Sequence, residues 1–513
     1  MPTAASPRPR DPVRRPGTAA RLRRLVDRDL ASLEPGARRG WWLREALEAE
    51  EAGGPGSAGT CPPPHRDGTA DVVIVGGGFT GLWTAWWLLE REPGLGVTIL
   101  EADITGGGAS GRNGGFLTGW WDYLPALVAN FGREDGLAAA MALDGAPARI
   151  GDWAARHDVD PWFTPGGTLV VSSSPAQDDA WEGILSLAAE LGVADRYRPL
   201  SPAEVQAICA TPELRGGMLV PSDASVQPAR LARGLRRVLL ERGVTIHEGT
   251  RVTGITAEGR GVRVATEHGA AIRAHRAVLA VNAWAAGWRG GGFGARMITW
   301  SSYMVLTEPI PDRLEALGWT GGEAITDCRF TNHYFRTTRD GRIAFGGGGG
   351  RAGYGGRLGG WVDGDRGSTA LAARGFRRIF PMLDDVALVD AWGGPIDIAP
   401  NHLPSFGELP GSDGRVVFGH GYSGTGVGPS WLGGRILAAL ARDAHDDPVA
   451  RLPMVGHRAR RFPPEPFRFL GARVIREAIV AKEQRDDLGG YVPPPLRWLV
   501  SLPRAMGYDL GPE

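Results

Sequence analysis

The sequence has almost no lysine. Lys482 is the only one, so arginine supplies nearly all of the 57 basic side chains, and 57 acidic ones cancel them to a formal charge of zero. A nucleic-acid surface needs net positive charge gathered on one face, so this balance excludes that class and reads as coding bias. Cysteine is scarce as well: Cys61, Cys209 and Cys328 stand alone, odd in number and without a CxxC pair. That excludes a disulfide framework and a structural zinc site, and predicts a reducing, cytoplasmic setting. The ten histidines are scattered, which predicts no metal centre. No run of about eighteen apolar residues occurs, so no membrane span is expected. No short period repeats, which excludes a solenoid.

What the sequence has in excess is glycine, 78 of 513 residues, beside 39 prolines. Without a Gly-X-Y period, so much glycine means tight turns or backbone brought close to a ligand. At 42% hydrophobic the chain can bury large cores and is not disordered. At roughly 150 residues per domain the length suggests about three domain-sized units, unless the domains interleave.

Residues 1 to about 40 carry ten arginines against four acids, with no apolar core of the kind a signal peptide needs. Most of this reads as a mobile basic arm. Leu22, Leu25, Val26, Leu30 and Leu33 have helical spacing that allows a short helix to dock, and Gly40 to Glu51 reads as a second helix offering Trp41, Trp42 and Leu47. A glycine- and proline-rich linker follows, and order begins at Asp71. From there Val72–Val75 reads as a buried strand, followed by a glycine turn, a helix to about Glu90 and a second strand at Val97 to Asp103. Trp83, Trp86 and Trp87 lie on that helix, where core packing explains them. Near the C-terminus Phe469, Val474, Ile475 and Ile479 predict the apolar side of a helix docked on the same subunit.

Gly76, Gly78 and Gly81 form G-x-G-x-x-G between the first strand and its helix, with Glu101 at the end of the next strand. The first glycine permits the turn, the second lets backbone approach a pyrophosphate, and the third packs helix on strand. The helix N-terminus then faces the phosphates, and Glu101 can accept from ribose hydroxyls. A second cluster, GGGASGRNGG (Gly106 to Gly115), favours a flavin over a nicotinamide, because its small residues let backbone run along a large flat ring. A third, Gly419 to Ser430, precedes a helix whose N-terminus favours the negative charge of a reduced ring.

IVGGGFTGL, GASGRNGG, RVTGI, AVLAVNAW and GHGYSGTGVG together resemble the D-amino-acid-oxidase and glycine-oxidase superfamily of FAD-dependent oxidoreductases, over roughly residues 70 to 445. GASGRNGG with WGGPIDIAPNHLPSFG (Trp392 to Gly407) is most similar to the γ-glutamylputrescine oxidase branch. The resemblance implies an α/β fold of the glutathione-reductase-2 type: a Rossmann-like FAD-binding domain interleaved with a mostly antiparallel substrate domain. The expected boundaries are 1–69 for the arm and linker; 70–152, 223–290 and 391–450 for the FAD domain; 153–222 and 291–390 for the substrate domain; and 451–513 for a C-terminal helical arm.

Residue by residue, the resemblance implies Gly76, Gly78, Phe79, Thr80 and Gly81 at the FAD pyrophosphate, with Glu101 and Ala102 at the adenosine ribose. Ala109, Ser110, Gly114, Gly115 and Phe116 line the flavin, Val252 presents backbone to the adenine, and Thr425, Gly426 and Val427 meet the pyrimidine end. The substrate is expected between the ring and a sheet bearing Tyr334, Arg336, Trp392 and Asp397, with Tyr422 beside the ring. Relatives that bind FAD covalently use a cysteine on the WGG strand or a histidine in the GASGRNGG-type segment; this chain has neither, so FAD is expected to be non-covalent. Some oxidases of the family use a lysine beside the flavin for oxygen, where this chain has Ala344, so oxygen or a redox partner is left as the electron acceptor.

The reaction implied is oxidation of a small amine or amino acid, a hydride passing from the carbon beside nitrogen to flavin N5 and the imine leaving to hydrolyse. Two alternatives stay open: the same fold acting on a hydroxy acid, and an FAD-binding scaffold or sensor without turnover. The charge facing the flavin separates the first pair, Asp397 for an amine or Arg336 for a carboxylate. In a strand Tyr334 and Arg336 share one face and Phe335 takes the other. The oligomeric state is left open.

Overall fold

The computed structural model describes residues 18–33, 39–53, 61–288, 290–487 and 489–508. The basic segment 1–17 and most of the linker after Glu51 lie outside them. Two eight-stranded sheets organise the chain.

The first sheet is built around the buried strand Gly68–Val75, which pairs in parallel with Val97–Leu100 on one side and Ala271–Leu279 on the other. Thr245–His247 and Val416–His420 extend the parallel array at its two flanks. Val72 and Ile74 face the helices Phe79–Arg91, Pro228–Glu241 and Pro429–Ala441, while Val73 and Val75 face the antiparallel pair Val252–Glu258 and Gly261–Thr266. Both faces of the strand are therefore buried, which is why it reads as a continuous apolar run instead of an alternating one.

The second sheet runs Leu388–Ile398, Ile298–Thr307, Ile343–Gly347, His333–Thr337, Ala324–Asp327, Thr168–Val171, Gly217–Val220, Arg198–Leu200. All of its neighbours are antiparallel except Ala324–Asp327 with Thr168–Val171. Its edge strand Leu388–Ile398 contains the WGG motif, so residues 391–398 belong with this sheet and not with the first, where the expected boundary put them. The physical reason is ten residues of register with Ile298–Thr307, which outweighs the motif's nearness in sequence to the last glycine cluster. Phe335 points away from Tyr334 and Arg336 into the core beneath helix Arg366–Ile379, as strand alternation requires.

The N-terminal segment is docked where it is described. Helix Thr18–Ser32 buries Val26 and Leu30 against the second sheet's core, and Asp29 accepts from Arg377 at 2.8 and 2.9 Å with both side chains buried. Helix Trp41–Glu51 places Trp42 edge-on to Trp392, with ring centroids 6.0 Å apart. At the other end, helices Phe467–Asp487 and Pro494–Ala505 pack on each other. Ile479 is buried and Ile475 partly so, but Val474, expected on the docked side, is 52% exposed.

Candidate functional site

The first strand ends at Gly76, whose φ of +110° is closed to most side chains, and a Cβ there would lie 2.3 Å from the carbonyl oxygen of Ala280. At Gly81 a Cβ would lie 2.0 Å from the carbonyl oxygen of Gly76. Gly78 differs, since its Cβ would meet only the Ser110 hydroxyl at 2.9 Å. That hydroxyl accepts from the Phe79 amide at 2.9 Å and so ties the second glycine cluster to the helix N-terminus. Glu101 accepts from the amides of Gly77 at 2.7 Å and Asp103 at 2.9 Å. Burial raises its carboxyl pKa against the pull of those two donors.

The second cluster is held in shape by Asn113. Its side-chain oxygen accepts from Gly115 N–H at 2.8 Å, and its amide donates to the carbonyls of Ala109 and Ser110 at 3.1 and 3.0 Å. Tyr334 lies on Gly114, where a Cβ would come within 2.8 Å of the ring, and its hydroxyl shares a 2.7 Å hydrogen bond with Ser302. Burial pushes that phenol up to about 12.

Arg336 is on the same strand face, but it does not reach the cavity. It donates to the carbonyls of Gly114 at 2.8 Å and Val226 at 2.5 Å and lies over the Trp42 ring, 4.9 Å from its centroid. A strand advances about 3.3 Å per residue, so a position two further on falls beneath the crossing of Gly115 and Val226. Burial without a carboxylate partner pushes this guanidinium down to about 9. Trp392 also stands behind the loop, its indole N–H donating to the Arg112 carbonyl at 2.9 Å. Both were expected at the substrate, and both are instead supports of the loop. Ala344, expected near the place of a lysine in some oxidases, is buried among Trp42, Met304 and Trp392.

At the third cluster Asp397 is fully buried. One carboxylate oxygen accepts from Gly421 N–H at 2.5 Å, and the other, also buried, has no hydrogen-bond partner among the described residues. Burial pushes its pKa up to about 6, with backbone donors opposing. The Tyr422 hydroxyl accepts from Thr80 at 3.1 Å, and Tyr123 shares a 2.7 Å hydrogen bond with Thr425. His420 is held neutral, burial lowering it to about 4, and it stacks on Phe418. Of the glycines from Gly346 to Gly350, only Gly348 reaches the cavity wall; Gly346 makes room for the Tyr334 ring.

One cavity of about 1400 Å³ joins these parts. Gly76, Gly78, Phe79, Thr80, Glu101, Ala102 and Val252 line it together with Ala109, Ser110, Gly114 and Phe116. Tyr334, Asp397, Tyr422, Thr425, Gly426 and Val427 are on its wall as well, whereas Gly81, Gly115, Arg336 and Trp392 are not. Sequence reasoning missed two contributors. The C-terminal helices supply part of the wall through Ile475, Ile479, Leu502 and Pro503, and Thr118, Asp122 and Tyr123 supply another part. The only signal for the latter was a single acid in an otherwise apolar stretch, FLTGWWDYLPAL.

A strand, a left-handed glycine turn, a helix N-terminus, a carboxylate at the end of the next strand and a long cavity are what a dinucleotide cofactor requires, and these residues fit FAD. The family model described as FAD dependent oxidoreductase (DAO) matches residues 71–440. The chain belongs to this family. It is an FAD-dependent oxidoreductase, with a mixed α/β fold. A probable oxidoreductase OrdL of Rhizobium meliloti is 31% identical over 379 residues, 72% of this chain and 83% of that protein. The gamma-glutamylputrescine oxidoreductase of Escherichia coli is 29% identical over 414 residues, 79% of this chain and 91% of its own. Among solved structures, glycine oxidase from Geobacillus kaustophilus superposes with a TM-score of 0.60 at 21% identity, covering 73% of this chain and 95% of that one. The matched region stops before the two C-terminal helices, so their share of the cavity wall lies outside the family model. No helix among the described residues is long and apolar enough to cross a membrane.

Proposed function

We propose that this enzyme oxidises the carbon next to the nitrogen of a small amine or amino acid, with FAD held non-covalently along the cavity. In this reading the turn Gly76 to Gly81, with Phe79 and Thr80, holds the pyrophosphate, Glu101 and Ala102 hold the ribose, and Val252 borders the adenine. The loop Ala109 to Phe116 and the turn Thr425 to Val427 flank the ring. FAD supplies the acceptor for a hydride from that carbon. Non-covalent attachment is supported by the absence of cysteine and histidine from Ala109 to Gly115 and from Trp392 to Asp397.

The observation that carries the amine reading is the sign of the charge left uncompensated at the wall. Asp397 keeps a buried carboxylate oxygen with no hydrogen-bond partner among the described residues, whereas Arg336 is turned behind the loop, and Arg112 and Arg329 are held by Asp363 and Asp327. An unpaired carboxylate favours a substrate bearing nitrogen over one whose carboxylate would need a free arginine. The relative named gamma-glutamylputrescine oxidoreductase supports the same class. The protein's part is to position the substrate and exclude water, with Tyr334 and Tyr422 as polar contacts too weakly acidic to ionise near neutrality.

The test is anaerobic bleaching of the bound flavin by polyamines, N-methyl amino acids and D-amino acids, with peroxide measured after air is readmitted. Bleaching by an amine is the expected outcome. Flavin that stays oxidised with every amine but is reduced by a hydroxy acid overturns the reading. Rate against pH is a second check. Hydride leaves from the neutral amine, so kcat/KM rises through the amine's ionisation, and a flat profile there counts against the scheme. An acid limb near pH 6 is expected besides, because Asp397 is protonated below it and charged above it. Asp397→Asn removes that limb.

A further inference from the structure

Past the ring site the cavity wall continues over Thr118, Asp122 and Thr168. Asp122 is partly buried, and only the backbone amides of Asp122 and Tyr123 face its carboxylate; no arginine, lysine or histidine among the described residues pairs with it. Arg196, close by in the chain fold through Trp121, is committed to Asp144 at 3.1 Å and lies over the Trp121 ring. Directly behind stands a second carboxylate. Asp223 is buried, accepts from Gly119 N–H at 2.9 Å through its side chain, and accepts from Gly167 N–H at 3.1 Å through its carbonyl. Phe116 and Leu117 pair antiparallel with Ser225 and Ala224, so the next step of that ladder sets Thr118 opposite Asp223. Thr118 is 4% exposed, yet its buried hydroxyl has no hydrogen-bond partner among the described residues.

Two carboxylates and an orphaned hydroxyl, with no cation, leave this wall short of positive charge. Burial raises the carboxyl pKa of Asp122 well above its ordinary value and that of Asp223 to about 7, each in the direction that an incoming cation reverses. Tyr123, the neighbour of Asp122, bonds Thr425 on the turn beside the ring site, so the acidic wall adjoins the place of reaction.

We propose that Asp122, backed by Asp223 and Thr118, binds a second cationic nitrogen of the substrate and selects diamines and polyamines over monoamines. This inference rests on the amine reading above. An ammonium group gives Asp122 its counter-charge, with Asp223 and the buried Thr118 hydroxyl behind it, while a carboxylate at the same place finds no cation to pair with. Asp122 is a substrate-binding residue in this scheme, not a proton carrier.

The test compares anaerobic flavin reduction by 1,4-diaminobutane and by butylamine in the native protein, Asp122→Asn and Thr118→Val, alongside calorimetric titration of both amines into dithionite-reduced holoenzyme, which cannot turn them over. The native protein is expected to favour the diamine by about thirtyfold in both kcat/KM and Kd. Asp122→Asn is expected to bring the ratio near one, and Thr118→Val to lower it in part. If Asp122→Asn does not fold, Thr118→Val carries the comparison. Equal reduction by the two amines, or a preference untouched by both variants, overturns the proposal while leaving amine oxidation standing. If no amine reduces the flavin, the amine reading fails, and the titration still decides the binding site: a diamine preference lost in the variants upholds it, and no preference overturns it.

Discussion

Gly76→Ala is expected to yield a protein that carries no flavin and is destabilised by about 3–5 kcal/mol. Two penalties combine at this one position. The residue holds φ at +110°, and a Cβ would come within 2.3 Å of the Ala280 carbonyl, which is backbone just past the end of the neighbouring strand and cannot swing aside. Relief requires either strand Gly68–Val75 or strand Ala271–Leu279 to shift, and their parallel register fixes the turn on which a pyrophosphate would rest. Gly78→Ala is the informative control. Its Cβ meets only a serine hydroxyl, which can rotate, so flavin binding is expected to weaken without being lost. The measurement is visible absorbance of the purified protein per mole of chain, with urea denaturation for stability. Full flavin content in Gly76→Ala would show that the turn is not where the cofactor is held.

Arg336→Met is expected to lower stability by about 3 kcal/mol and to weaken flavin retention sharply, although its side chain never reaches the cavity. The guanidinium satisfies the carbonyls of Gly114 and Val226, and with it removed both are left in a buried space without a donor. The loop that lines the cavity at Gly114 then loses its support from behind, as does the stacking on Trp42. Arg336→Lys keeps the charge but cannot fork to two carbonyls, and is expected to recover less than half of the loss. Denaturation midpoints and flavin release on dilution check this pair. A specific collapse of turnover in Arg336→Met, with stability and flavin affinity intact, would return Arg336 to the substrate and revive the carboxylate reading.

Gly76 and Arg336 mark how differently parts of the site could be read beforehand. Glycine turns are legible because their constraint is local: a positive φ and a close backbone approach leave one residue type that fits, and Gly76 and Gly81 follow from spacing alone. Strand alternation is equally local, so Tyr334 and Arg336 share a face and Phe335 takes the other. What alternation does not carry is the loop from another part of the chain that covers Arg336 and leaves Tyr334 open. The same limit applies to Trp392, whose neighbour Trp42 lies 350 positions away in a segment that reads as an appendage.

Asp122 shows the limit from the other side. A single acid among apolar residues has no pattern, and its meaning comes from Asp223, brought beside it by the pairing of Phe116–Leu117 with Ala224–Ser225. The sequence by itself determined the nucleotide-binding turn, because that follows from short-range geometry that a run of ten residues imposes, and its motifs carried the resemblance that implied the family and FAD. Only the tertiary structure decided which charges border the cavity: Asp122 and the buried Asp397 do, and Arg336 does not. Burial and pairing depend on segments far apart in the chain, and excess glycine tells where backbone comes close without telling which side chain stands open there.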